Sequence, residues 1–104
     1  MSSDERILGL YESIGLLSRT MVMAAERADW ESLEAAERIC GLVIERIDAY
    51  GDAAALLGPG GRRKRLAILR DVLQDDATIR RHTEPGLARV ERLLAPAARR
   101  GRGG

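Results

Sequence analysis

Residues 7–50 read ILGLYESIGLLSRTMVMAAERADWESLEAAERICGLVIERIDAY, and this stretch decides the fold. Apolar residues recur in it at steps of three and four. Such steps place each set on one face of a helix, because an α-helix completes a turn in ~3.6 residues. The sequence therefore predicts two amphipathic helices. The stripe of the first is Ile7, Leu10, Tyr11, Ile14, Leu17, Met21 and Ala25. The stripe of the second is Leu33, Ala36, Cys40, Val43, Ile47 and Tyr50.

Polar residues mark where these two helices begin. Ser2 followed by Glu5 fits a capping box, which predicts a first helix over about residues 3–27. Asp29 is placed to cap the second helix, where its carboxylate accepts from first-turn N–H groups. The connection is short, so we expect the two helices to be antiparallel neighbours.

The second half of the chain predicts two more helices after a glycine-rich loop at 57–61. A third helix is expected over about residues 62–81. Thr83 and Pro85 are typical of a new helix start, because proline is tolerated in a first turn, and Pro96 would stop this short fourth helix. The expected inward residues of the third helix are Leu66, Leu69, Val72, Leu73, Ala77 and Ile79.

No alternating strand pattern is present, so the fold class is all-α: an antiparallel bundle of three main helices with a short fourth, C-terminal helix. Residues 1–95 would form this single domain and residues 96–104 a disordered basic tail. The short fourth helix could act as a removable cover over part of a binding surface.

Composition excludes several classes of protein. The chain has 104 residues, 45% of them hydrophobic and 32% charged, which is typical of one globular domain. Cys40 is the single cysteine, so no internal disulfide can form. The N-terminus lacks the pattern of a signal peptide, and no apolar run reaches ~18–20 residues. We therefore expect a cytoplasmic protein without membrane insertion.

Charge is distributed unevenly along the chain. Residues 1–50 hold ten acids and five bases, whereas residues 51–104 hold six acids and twelve bases. The densest basic run is Arg62 to Arg65, which could grip phosphate together with the Arg-rich tail, but no aromatic residue lies beside it for base stacking. A solvated first helical turn is the simpler interpretation.

Residues that could carry chemistry are few. Asp75 and Asp76 are adjacent, so on a helix their carboxylates diverge by about 100° and cannot act as a facing pair. His82 is the single histidine and has no nucleophile to serve. We expect no catalytic, metal-binding or cofactor-binding residues.

The same stretches resemble the FliT family of flagellar export chaperones, over about residues 7–94. In the first half the resemblance rests on residues 10–21 (LYESIGLLSRTM), on Ala24 and Ala25, on residues 28–33 (ADWESL) and on Glu37. In the second half it rests on Leu69, Val72, Leu73, Asp75, Asp76, Ile79, Arg80, Pro85 and Leu87. The glycine-rich loop and the short Arg-rich tail depart from the family pattern.

The resemblance implies a chaperone that binds the C-terminal part of the filament cap protein FliD and keeps it unpolymerised. It implies delivery of this client to the export gate protein FlhA and the export ATPase, and in some members repression through the regulator FlhDC. A homodimer is also compatible with the pattern. The residues expected to bind the client or a partner are Tyr11, Ile14, Met21, Leu69, Val72, Ile79, Leu87, Val90 and Leu94.

The sequence is also compatible with two other functions. One is a small basic nucleic-acid-binding protein that uses Arg62 to Arg65 and the tail, and the other is an all-helical self-assembling scaffold. Nucleic-acid binding would weaken steeply with salt, whereas binding through apolar helix surface would change little.

Overall fold

The structure, a computed structural model, describes residues 2–94, with side chains for residues 2–83. It contains three α-helices: α1 (Ser3–Glu26), α2 (Trp30–Asp48) and α3 (Pro59–Leu94). A short 3-10 helix, Ala53–Leu56, lies between α2 and α3. The described residues include no β-strand, so the prediction of an all-α bundle with three main helices is confirmed.

The turn between α1 and α2 is a Schellman motif. The Asp29 N–H donates to the carbonyl of Ala24 at 2.8 Å, and the Ala28 N–H donates to that of Ala25 at 3.1 Å. Ala28 has a φ of 56°, the left-handed conformation that glycine usually supplies at this position. Asp29 then caps α2 by accepting from the Ser32 N–H at 3.2 Å. The turn therefore ends one helix and starts the next within three residues.

Helix α1 is the central element of the bundle. It packs along α2, which runs antiparallel to it, and along α3, which runs parallel to it. The parallel direction follows from paired contacts, because Tyr11 meets Arg65 and, farther along both helices, Ser18 meets Asp75. Over the described residues, α2 and α3 contact each other little. Both α2 and α3 are thus held in place mainly by their contacts with α1.

The largest apolar cluster lies where α1 begins and α2 ends. Ile7 is fully buried at 0% exposure, and Tyr11 and Ile14 follow it on the same face of α1. Ile47 from α2 and Leu57 after the 3-10 helix close the cluster. The stripes predicted for α1 and α2 supply most of these residues, because a three- and four-residue step keeps them on the inner face.

A buried polar contact joins the middle of α1 to the middle of α3. Asp75 is only 6% exposed, and its carboxylate accepts from the Ser18 hydroxyl at 2.8 Å. The other carboxylate oxygen accepts from the Arg19 guanidinium at 3.1 Å, and that arginine reaches out to solvent. A buried carboxylate is tolerated because both of its oxygens have donors. The contact fixes the register of α3 along α1.

The inward face of α3 differs from the predicted one and includes Asp75. Leu66 and Leu73 are 58% and 71% exposed, and Ala77 is exposed too. The prediction placed all three in the core, and it is wrong. The face that meets α1 runs through Ile68, Leu69, Val72, Asp75 and Ile79. The apolar pattern was misleading because Asp75 interrupts the true inner face. The neighbouring row through Leu66 and Leu73 therefore looked more apolar than the face that packs on α1.

The start of α3 also differs from the prediction. Pro59, Gly60 and Gly61 form its first turn instead of belonging to the loop, and the Gly58 carbonyl accepts from the Arg62 N–H at 2.9 Å. Proline fits here because a first-turn residue needs no N–H partner.

The predicted separate fourth helix is wrong, because α3 continues without a break to Leu94. The Thr83 hydroxyl donates to the Ile79 carbonyl at 3.2 Å inside the helix, so it does not cap a new one. A helix of 36 residues is about 54 Å long, close to the 58 Å longest dimension of the molecule.

The register shows where the last turns of α3 lie. Since Ser18 is level with Asp75, the end of α1 at Glu26 is level with about residue 83 (75 + 8). Residues 84–94 therefore extend past α1 and do not fold back as the predicted cover. The predicted tail, residues 96–104, lies outside the described residues.

We expect Asp75→Ala to lower the free energy of unfolding by about 1–3 kcal/mol, because the buried Ser18 hydroxyl loses its acceptor. Asp76→Ala is the matched control, since it gains the same helix propensity but removes only an exposed pair with Arg80. We expect it to cost less than about 0.5 kcal/mol. Urea denaturation measures both, and equal costs would show that the buried contact does not hold α3.

We expect Ala28→Gly to raise the free energy of unfolding by about 0.5–1 kcal/mol, because glycine adopts the left-handed conformation without strain. Ala77→Gly is the control at an exposed position inside α3, where the same change should cost about 1 kcal/mol. Thermal unfolding measures whether each variant is more or less stable than the wild type. Destabilisation by Ala28→Gly would mean that the turn does not form as described.

Candidate functional site

We infer an open groove between α2 and α3, with α1 as its floor, and name it the front groove. It exists because α2 and α3 each pack on α1 but hardly touch each other. On α3 its edge is the row Leu66, Leu69 and Leu73, spaced three and four apart. On α2 its edge is Ile44, which is 45% exposed and lies one turn before the buried Ile47. Apolar surface therefore borders the groove on both sides.

The two edges of the front groove carry opposite charge. On α2, Glu37 and Asp48 are exposed and share a helical row with Ile44, at spacings of seven and four. On α3, Arg62 and Arg70 are exposed and each lies four residues from Leu66. A helix lying in the groove would thus meet an acidic edge on one side and a basic edge on the other.

The structure places the predicted partner-binding residues mostly on inner faces. Tyr11 and Ile14 are buried in the core. The half-buried members are Met21, Leu69, Val72 and Ile79. Leu87, Val90 and Leu94 belong to the last turns of α3, and their side chains lie outside the described set.

Sequence reasoning missed the exposed apolar residues at the groove edge. Leu66 and Leu73 were assigned to the core, and Ile44 was assigned to no surface. For Ile44 a signal was available: it is apolar but lies one position after Val43 of the inner stripe, on a helical row with Glu37 and Asp48. Apolar residues among charges on one helical row are typical of an exposed contact surface.

The basic run at the start of α3 is partly structural. The Arg65 guanidinium donates from Nε to the Tyr11 hydroxyl at 3.0 Å and lies 5.4 Å from the centre of the Tyr11 ring. Arg62, Arg63 and Lys64 are exposed, but consecutive residues on a helix diverge by about 100°. The run therefore forms no one-sided basic patch, which weakens the nucleic-acid interpretation.

Reactive groups in the described part of the chain are sparse. Burial raises the pKa of the half-buried Cys40 thiol, and the Glu37 carboxylate raises it further, so the thiol stays protonated and weakly nucleophilic at neutral pH. Among the described residues, no group of three or more His, Cys, Asp or Glu side chains could hold a metal ion.

By length and composition alone, α1 could cross a membrane: it has 24 residues, and an 18-residue window reaches a mean hydropathy of 1.2. The core helix of a bundle passes the same test. In this structure α1 packs on both other helices and bonds Asp75 through Ser18. We therefore interpret α1 as the core helix of the bundle.

Comparison with known proteins gives one sequence family and one related structure. The family model described as Flagellar protein FliT matches residues 8–102. The crystal structure of the flagellar protein FliT from Bordetella bronchiseptica is similar, with a TM-score of 0.69 and 26% sequence identity. The similarity covers 85% of this chain and 99% of that one. No curated protein matches the chain significantly in sequence.

Proposed function

Because the chain belongs to the FliT family of flagellar proteins, we propose that it is a flagellar export chaperone for the filament cap protein FliD. In this role it binds the C-terminal region of FliD, prevents premature assembly of the cap and delivers the subunit to the export gate. It acts by binding in the cytoplasm and not as an enzyme.

The observation that supports this proposal most is the front groove. Single exposed apolar residues are common on protein surfaces, but Leu66 and Leu73 are 58% and 71% exposed and share one helical row of α3 with the half-buried Leu69. Ile44 continues the apolar surface on α2. An amphipathic helix laid into a groove of this kind is a common mode of peptide recognition, since it removes both apolar faces from water.

The charged edges suggest which client helix fits. Glu37 and Asp48 on α2 favour basic residues on one flank of the client, and Arg62 and Arg70 on α3 favour acidic residues on the other. Exposed pairs of this type add little affinity but set the direction in which the helix lies. We therefore expect the C-terminal segment of FliD to form an amphipathic helix with charged flanks of opposite sign.

Further partners follow from the same role. We propose that the loaded chaperone binds the export gate protein FlhA and the export ATPase, and that the free protein also regulates flagellar genes through FlhDC. The predicted site residues Leu87, Val90 and Leu94 lie on the part of α3 that extends past α1. This extension suits contact with a second partner while the groove holds the client.

We expect the double variant Leu66→Asp with Leu73→Asp to bind the C-terminal segment of FliD at least tenfold more weakly than the wild type. Each aspartate would place an unpaired charge in the contact. Leu16→Asp is the matched control, because Leu16 is 72% exposed on α1 and lies away from the groove. Isothermal titration calorimetry measures the affinity, and circular dichroism verifies that all variants remain helical.

The salt dependence of the same titration separates the alternatives. Affinity for FliD should change little between about 50 and 200 mM salt, because apolar contact dominates. Equal affinities of the double variant and the wild type would contradict the groove. Steep salt dependence together with binding to a DNA duplex would favour a nucleic-acid-binding protein, and higher oligomers without bound FliD would favour a scaffold.

A further inference from the structure

A second cleft lies between the first half of α1 and the last turns of α2; we name it the rear cleft. Its volume is ≈ 660 Å³, it is open to solvent, and none of its lining residues comes from α3. Gly9 and Leu10 line it from α1, and Ala49 and Tyr50 line it from the turn that follows α2. The rear cleft is therefore separate from the front groove, and the two can be filled at the same time.

Gly9 keeps the rear cleft open. It lies inside α1, where glycine is less favourable than alanine by roughly 1 kcal/mol. A Cβ built on Gly9 would have no neighbouring atom within 4 Å, so no close approach of another helix requires a glycine there. The missing side chain instead leaves space beside Leu10 and Tyr50 for an apolar group from outside.

Two arginines make the rear cleft basic. Arg6 lines it from α1 and Arg46 lines it from α2. No ion pair joins either guanidinium to another side chain in the described part of the molecule. Glu5 is the one acidic residue of the lining, which leaves a net charge of +1 (two arginines, one glutamate). The cleft thus offers unpaired cations beside an apolar floor.

We propose that the rear cleft binds a short acidic peptide segment of a partner protein. A bulky apolar side chain of this segment enters over Gly9, and a neighbouring carboxylate is held by Arg6 and Arg46. Guanidinium groups suit this task because they bind carboxylates through paired N–H groups. This surface is independent of the client role proposed above.

The test uses the full chain and a blocked eight-residue peptide that alternates leucine with aspartate. Binding is followed by backbone-amide NMR, with the Gly9 amide as reporter of the rear cleft and the Gly41 amide as reporter of the opposite side of α2. We expect the Gly9 signal to shift while the Gly41 signal does not. A peptide with asparagine in place of aspartate should bind about five- to tenfold more weakly, because the charge-assisted hydrogen bonds are lost.

Two pairs of variants complete the test. Gly9→Leu should abolish binding by filling the cleft, and it should remain folded because leucine favours helix more than glycine does. Gly41→Leu is its control, since a Cβ at Gly41 also meets no neighbour within 4 Å. Arg46→Glu should weaken binding at least tenfold, whereas Arg38→Glu, exposed on the same helix outside the cleft, should not.

Four results would overturn the proposal. These are no shift of the Gly9 signal at millimolar peptide, equal binding of the asparagine peptide, unchanged binding by Gly9→Leu, and shifts confined to Gly41 and the front groove. Dimerisation of the free chain through the rear cleft, detected by analytical ultracentrifugation, would identify a second copy as the occupant and would also overturn it.

Discussion

Helix α1 is the constraint on which this structure depends. It contacts both other helices along its length, whereas α2 and α3 hardly meet each other. The apolar cluster around Ile7, Tyr11 and Ile14 stabilises the end of the bundle where α1 begins and α2 ends. The buried contact from Ser18 to Asp75 then sets how far α3 lies along α1. A buried carboxylate specifies register better than apolar packing does, because any slip would leave its charge without donors.

The open groove follows from this arrangement. A helix that serves as the floor for two neighbours separates them, and the facing rows of α2 and α3 remain partly exposed. Exposed apolar rows are unfavourable in a free protein, so they are retained where a partner covers them. The helical client that we propose for this member of the FliT family would cover them. The opposite charges of the two edges would then orient the client, since charge complementarity contributes more to specificity than to affinity.

Much of the fold could be predicted because α1 and α2 are regular: their stripes keep one period, and Ser2 and Asp29 cap them as expected. The errors lie in α3. Its inward face contains Asp75, whose donor Ser18 is 57 residues away in the chain, so hydropathy alone favoured Leu66 and Leu73. The sequence predicts that Thr83 caps a new helix, but its hydroxyl donates to the Ile79 carbonyl within α3. Such outcomes depend on tertiary contacts, which local patterns do not contain. The α3 edge of the groove, Leu66 and Leu73, was missed for the same reason.

Methyl NMR of the chain labelled at isoleucine and leucine, titrated with the C-terminal segment of FliD, tests the central claim most directly. The account predicts the largest shifts at Ile44, Leu66 and Leu73, on two helices that contact each other little, because one client helix would bridge them. It predicts small shifts at Leu10 in the rear cleft and at Leu16 on the outer side of α1. Shifts confined to Leu10 or Leu16, with Ile44, Leu66 and Leu73 unchanged, would show that the front groove is not where the client binds.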